Sequence, residues 1–148
     1  MTNEPTANPR TGVSGEARGM TILLADDEAG IRRLVGKVLR SKGYKVLEAA
    51  DGLEALEVAE QHPGPIHLLL TDWSMPRLDG GGLIRRLSTG RPETAILVMS
   101  GYMNGKLPPK AAILSKPFKS QDLVDSVNGV LYGQRWSREA QFPASDNL

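Results

Sequence analysis

The sequence predicts an α/β fold, a doubly wound sheet of five parallel strands, on three observations. Short apolar runs alternate with stretches of helical periodicity along the chain. The runs are nearly continuous in apolar residues, the pattern of strands covered on both faces rather than one. Their order is βαβαβαβ, then an irregular stretch, then βα, and parallel neighbours of this kind are joined by crossover helices.

Each element has its own warrant. Thr21-Ile22-Leu23-Leu24-Ala25 reads as the first buried strand. Ile31, Leu34, Val35, Val38 and Leu39 follow at helical spacing, and Gly43 sits where a helix C-terminal cap belongs. Residues 45–49 form a short, partly exposed strand. Asp51, with Glu54 three positions on, has capping-box spacing and opens a helix to about Gln61, which Pro63-Gly64-Pro65 stops. Residues 66–71 are a second buried run. Residues 80–88 predict a weak helix, because Gly80, Gly81 and Gly82 at its start cost helical stability. Residues 94–100 and 111–115 are further apolar runs. Residues 120–132 form the last helix, with Leu123, Val124, Val127 and Leu131 on one face.

Composition limits the function. A chain of 148 residues is one domain with short appendages. Its 18 basic and 17 acidic side chains argue against a dedicated nucleic-acid binder. Cysteine is absent, which excludes disulfides, thiolate metal sites and a cysteine nucleophile. His62 and His67 are too few for most histidine-based zinc sites, and His67, inside a strand pattern, reads as a satisfied structural residue. No membrane span or secretory signal is visible, so a cytoplasmic protein is expected. Residues 1–19 hold no Leu, Ile or aromatic residue and read as a disordered tail. Residues 133–148 read as a polar C-terminal tail carrying Trp136 and Phe142. The expected domain is therefore residues 20–132.

In open α/β sheets, ligands bind at the carboxyl ends of the strands. Those ends carry Asp26-Asp27-Glu28, Asp72, Ser100-Gly101 and Lys116-Pro117. Each alone is ordinary: an Asp before a helix is usually a cap, and Lys-Pro is usually a loop. Their joint occurrence points to phosphoryl transfer onto a carboxylate. Clustered carboxylates repel unless a cation neutralises them, and Mg²⁺ prefers such oxygen ligands. An ionised Asp needs no general base to attack phosphorus.

These residues, with Ile31-Arg32, Met75-Pro76, Asp79-Gly80, Tyr102 and Phe118, closely resemble the receiver domain of two-component response regulators, over about residues 21–132. The resemblance implies the flavodoxin-like strand order 2-1-3-4-5. It implies Asp72 as phosphoacceptor, which would also hold Mg²⁺ together with Asp27 directly, Asp26 through water, and the backbone carbonyl of Ser74. Ser100 matches the switch hydroxyl, Lys116 the lysine that pairs with the phosphoryl group, and Lys116-Pro117 a cis peptide bond. The implied donor is a histidine kinase or histidine phosphotransfer protein, and the implied output is a change in protein contacts. Too few residues follow the last helix for a DNA-binding domain. Catalysis would be limited to the chain's own phosphorylation and dephosphorylation.

Some positions depart from the family pattern. Ser100 and Lys116 are 16 positions apart, and that stretch contains Gly105 and Pro108-Pro109. A fourth helix is therefore expected to be absent or reduced to a turn at residues 103–110. Ile113 stands where the family often has an aromatic; it reads as an altered switch or a core-edge residue, with Tyr102 the nearest substitute. Trp73 is either a wall of the acidic cleft or a partly exposed loop aromatic. The basic run Arg32, Arg33, Lys37, Arg40, Lys42 and Lys45 is a solvated face or a docking surface for the phosphodonor. Two rival functions are an aspartyl-phosphate phosphatase of haloacid-dehalogenase type and a non-phosphorylated scaffold. The phosphatase would want an Asp two positions after Asp72, where this chain has Ser74.

Overall fold

A computed structural model describes residues 19–101 and 107–146, with side chains through residue 133. Its elements are β1 (Thr21–Ala25), α1 (Ala29–Ser41), β2 (Lys45–Ala49), α2 (Gly52–Gln61), β3 (Leu68–Asp72), α3 (Gly80–Gly90), β4 (Ala95–Ser100), β5 (Ala111–Ser115) and α4 (Ser120–Asp146). The sheet order is β2-β1-β3-β4-β5, with every neighbouring pair parallel. Ile22 of β1 faces Val46 on one side and Leu68 on the other. The chain reverses its direction of travel across the sheet between β1 and β3, so the carboxyl ends of these two strands flank the ligand-binding crevice.

Side-chain alternation along each strand divides the core into two layers. Ile22, Leu24, Leu68, Leu70, Leu97 and Met99 pack with Val35 and Leu39 of α1 and with Leu123 and Val127 of α4. Leu23, Leu69, Ile96 and Val98 point the other way, onto Ala55 and Ala59 of α2 and Leu83, Ile84 and Leu87 of α3. Each buried leucine of this kind contributes about 1.5–3 kcal/mol by transfer from water. The central strands are thus pinned from both faces, which fixes where their carboxyl ends stand.

The helix ends follow local chemistry. Gly43 takes φ 100°, with Gly43 N–H bonded to Arg40 O at 3.0 Å and Tyr44 N–H to Leu39 O at 3.2 Å. That is a Schellman ending, and Tyr44 and Leu39 are buried in the same apolar layer. Asp51 caps α2 by accepting from Glu54 N–H at 2.9 Å. The Glu54 carboxylate reaches back to Ala50 N–H at 2.6 Å, one residue before the cap, a shifted form of the capping box. His67 is satisfied as expected: its Nδ1 accepts from Thr21 N–H at 2.9 Å.

Three local expectations change. Helix α3 runs to Gly90, and its three glycines are there for space: a Cβ on Gly80 would lie 2.6 Å from Asp72 O, and one on Gly82 would lie 2.5 Å from Leu78 Cδ1. Helix α4 does not stop at Tyr132 but continues to Asp146. Gln134, Arg135, Arg138, Glu139 and Ala140 are good helix formers, and extending a formed helix is cheap next to nucleating one. Ile113 is not a core-edge residue; it is 46% exposed on β5. In the stretch expected to lack a helix, residues 107–110 hold only a turn, and residues 103–106, like Tyr102, lie outside the described residues. Residues 1–18 of the expected tail at residues 1–19, and the side chains of Trp136 and Phe142, also lie outside them.

Candidate functional site

The carboxyl ends of β1 and β3 bring Asp26, Asp27 and Asp72 together, with one carboxylate oxygen of each within 4.8 Å of the others. Asp26 is fully buried. Its Oδ1 accepts from Glu28 N–H at 2.9 Å, while its buried Oδ2 has no hydrogen-bond donor. Asp72 ends β3 and is 9% exposed. Asp27 faces solvent.

Lys116 enters from the end of β5. Its Nζ donates to Asp72 Oδ2 at 3.3 Å, lies 3.6 Å from Asp26 Oδ2, and stands 3.9 Å from Glu28 Oε1. Lys116 N–H bonds to Ser100 O at 2.9 Å, which ties it to the end of β4. The Lys116-Pro117 bond is cis, as the family resemblance implies. Ser100 is the last residue of β4 and is buried. Its neighbour Met99 pairs with Asp72, so the serine stands one step from the acidic cluster across the sheet.

The electrostatics are under-compensated. Burial pushes the Asp26 carboxyl above its ordinary pKa, and the nearby Asp72 and Asp27 charges push the same way, against the Glu28 N–H and Lys116. Burial would by itself lower Lys116, but the Asp26 and Asp72 carboxylates outweigh it and hold the ammonium above its ordinary value. One ammonium cannot neutralise this many carboxylates. A divalent cation fits the site on two counts: the donors are all hard carboxylate oxygens, and Asp26 Oδ2 is a buried oxygen without a donor.

The other residues singled out from the sequence divide. Ser74, whose backbone carbonyl is the expected further oxygen donor, is exposed in the loop after β3, two positions from Asp72. Trp73 is only partly exposed; it packs against the α2–α3 layer, and a Cβ on Gly81 would lie 3.2 Å from its ring. The basic run is not simply a solvated face. Arg32 Nη1 donates to Asp26 O at 2.7 Å, and its Nε lies 3.4 Å from Glu48 Oε1. Arg40 meets the other oxygen of Glu48 at 3.0 Å, which leaves Arg33, Lys37, Lys42 and Lys45 exposed. Sequence reasoning missed Arg32 as a brace for Asp26 and Glu28 as a partner of Lys116. The signal for Arg32 was Glu48 on the neighbouring strand, an acid inside a mostly apolar run.

The family model for the response regulator receiver domain matches residues 22–128. The chain is 37% identical to the sensor kinase CckA of Brucella abortus (strain 2308) over 130 residues, 84% of this chain but only 13% of that protein. It is 36% identical to the response regulator receiver protein CpdR of the same organism over 116 residues, 74% of this chain and 95% of that one. The crystal structure of the receiver domain from the hybrid histidine kinase CckA superposes with a TM-score of 0.67 at 37% identity, covering 75% of this chain and 98% of that one. The chemotaxis response regulator CheY4 of Vibrio cholerae gives a TM-score of 0.68 at 28% identity, covering 76% and 98%. The flavodoxin-like strand order is shared with these neighbours, and neither the phosphatase nor the scaffold reading is favoured. The chain belongs to the response regulator receiver domain family.

Proposed function

We propose that Asp72 is the residue through which this phosphoacceptor receiver works, taking a phosphoryl group from a phosphohistidine on a histidine kinase or histidine phosphotransfer protein. The observation that carries the reading is the convergence of Asp26, Asp27 and Asp72 within 4.8 Å, with Lys116 Nζ 3.3 Å from Asp72 Oδ2. An Asp72 carboxylate oxygen attacks phosphorus as the bond from phosphorus to the donor imidazole nitrogen breaks. An acyl phosphate forms on Asp72, and the electron pair leaves with the imidazole. Asp26, Asp27 and Asp72, with the Ser74 carbonyl, would hold Mg²⁺. When bound, the ion offsets the charge of the carboxylates and of the incoming phosphoryl oxygens.

The chain's own residues supply the rest. Lys116 is charged at every physiological pH and already sits on Asp72, so it can pair with a phosphoryl oxygen with little rearrangement. The Ser100 hydroxyl would act as the phosphate-sensing donor, a role supported by Ser100 standing one residue past Met99, the β4 partner of Asp72. Arg32, by holding the Asp26 carbonyl, keeps the metal-binding pair in register with α1. Phosphorylation would then alter protein contacts around the domain formed by residues 20–132.

The test is incubation with acetyl phosphate and Mg²⁺, followed by intact mass. The native chain is expected to gain one phosphoryl group that survives acid and is lost in base. Asp72→Ala is expected to gain none. Equal labelling of the two proteins removes Asp72 as the acceptor.

A further inference from the structure

The loop from Asp72 to the α3 cap is fastened at both ends. Trp73 N–H bonds to Met99 O at 3.2 Å, Gly80 N–H to Trp73 O at 2.8 Å, and Asp79 caps α3 through Gly82 N–H at 2.9 Å. Between these anchors, Arg77 has φ 68°, and no other non-glycine among the described residues has a positive φ. Leu78 N–H bonds to Pro76 O at 2.7 Å, which closes a γ-turn about Arg77. With a positive φ at its centre, this turn is the rare and strained kind, and for a residue with a Cβ it persists only when its surroundings hold it.

What holds it is Asp51. Arg77 Nε donates to Asp51 Oδ2 at 3.0 Å and Nη2 to Oδ1 at 3.2 Å, a two-point fork. Asp51 is itself fixed as the N-cap of α2, and its carboxyl is held below its ordinary pKa, burial being outweighed by Arg77 and the Glu54 N–H. Glu57 and Glu54 add to the attraction on Arg77. Beside the fork, the Leu78 carbonyl lies so close to Gly52 that any side chain there would collide with it.

We propose that Arg77 is a positioning residue for the acidic site: its fork on Asp51 clamps the strained loop that leaves Asp72, and so sets the affinity of the site for a divalent cation. The inference rests on the reading of Asp26, Asp27, Asp72 and the Ser74 carbonyl as the Mg²⁺ site. An exposed ion pair of this kind contributes little to global stability. Its effect here is local, because it acts on a loop of seven residues in which Ser74 lies two positions from Asp72.

Four variants of the full chain separate the clamp from the backbone strain. Arg77→Gly removes the fork and also the cost of a positive φ. Asp51→Asn keeps the helix cap, since Asn caps well, and removes the charge. The third is the double variant, and Arg77→Lys restores a cation without the fork. Mg²⁺ is titrated into each unphosphorylated protein and followed by backbone amide shifts. The Mg²⁺ half-saturation of acetyl phosphate labelling is measured beside it. Each single variant is expected to bind Mg²⁺ about two- to fivefold more weakly, the effect available to an exposed charge pair. The double variant is expected to be no worse than the weaker single, and Arg77→Lys to lie between native and Arg77→Gly. The labelling rate at saturating Mg²⁺ is expected to stay native in all four. Native Mg²⁺ affinity in Arg77→Gly, or effects of the two sites that multiply in the double variant, overturns the clamp. A native chain with no Mg²⁺-dependent shift overturns the metal site, and the clamp falls with it.

Discussion

Replacing Asp26 by asparagine is expected to stabilise the metal-free protein. Asp26 and Asp72 carry oxygens within 4.8 Å of each other, and Lys116 Nζ lies 3.6 Å from Asp26 Oδ2. At an effective dielectric of about 20, the repulsion is about 3 kcal/mol and the attraction about 5 kcal/mol. The charge of Asp27, partly screened by solvent, brings the two close to balance. What remains is the burial of a charged oxygen with no hydrogen-bond donor, worth about 1–3 kcal/mol. Asparagine removes the charge and keeps the carbonyl that accepts from Glu28 N–H, and its amide N–H stands among the Asp27 and Asp72 carboxylates, which can accept from it. The melting temperature in EDTA is therefore expected to rise by roughly 3–8 °C at neutral pH, measured by calorimetry or circular dichroism. The pH dependence has a definite sign. The folded pKa of Asp26 lies above its unfolded value of 3.8, so the native chain loses stability as pH rises from 3.8 through the folded pKa. The advantage of Asp26→Asn should be full above that interval and vanish below it. Added Mg²⁺ should stabilise the native chain more than the variant. A variant that melts below the native protein in EDTA at neutral pH refutes the reasoning, because it would mean that the attraction to Lys116 outweighs the burial of Asp26.

Lys116→Met leaves Asp26 and Asp72 facing each other with no cation, so it should destabilise the metal-free protein by about 2–3 kcal/mol in urea denaturation, less when Mg²⁺ is present. Glycines within helices should respond in opposite directions: Gly129→Ala, in α4 with nothing within 4 Å of the new Cβ, should raise stability by about 1 kcal/mol. Gly80→Ala should lower it, because its Cβ would lie 2.6 Å from Asp72 O, and should also slow phosphorylation of Asp72.

The sheet and the acidic cluster were legible for a physical reason. Strands buried on both faces must be apolar throughout, and the polar residues that end such runs are visible as interruptions; Asp26, Asp72, Ser100 and Lys116 are all interruptions of this kind. The helix caps were legible because they depend on residues three or four positions apart. What sequence reasoning did not reach depends on pairs brought together only by the fold. Arg32 and Arg40 meet Glu48 across an α1–β2 contact, and Arg77 meets Asp51 from a loop 26 positions away. The glycines of α3 were read as a defect in a helix, since propensity is local, whereas the reason for them is the approach of Asp72 O, Trp73 and Leu78.

The site and the core place opposite demands on the same strands. Asp26 directly follows β1 and Asp72 is the last residue of β3, two strands whose residues are buried throughout, so neither carboxylate can retreat into solvent without unpairing the sheet. An acidic cluster on a loop would relax by moving its charges apart. Here the two apolar layers hold the charges at short range, so a cation bound between them would relieve the repulsion. Lys116 offsets part of it and leaves Asp26 Oδ2 without a hydrogen-bond donor. On the proposed reading, the loop held by Arg77 would be the adjustable part of the site: the strands set how much charge must be balanced, and the γ-turn would set how well the Ser74 carbonyl is placed to help balance it.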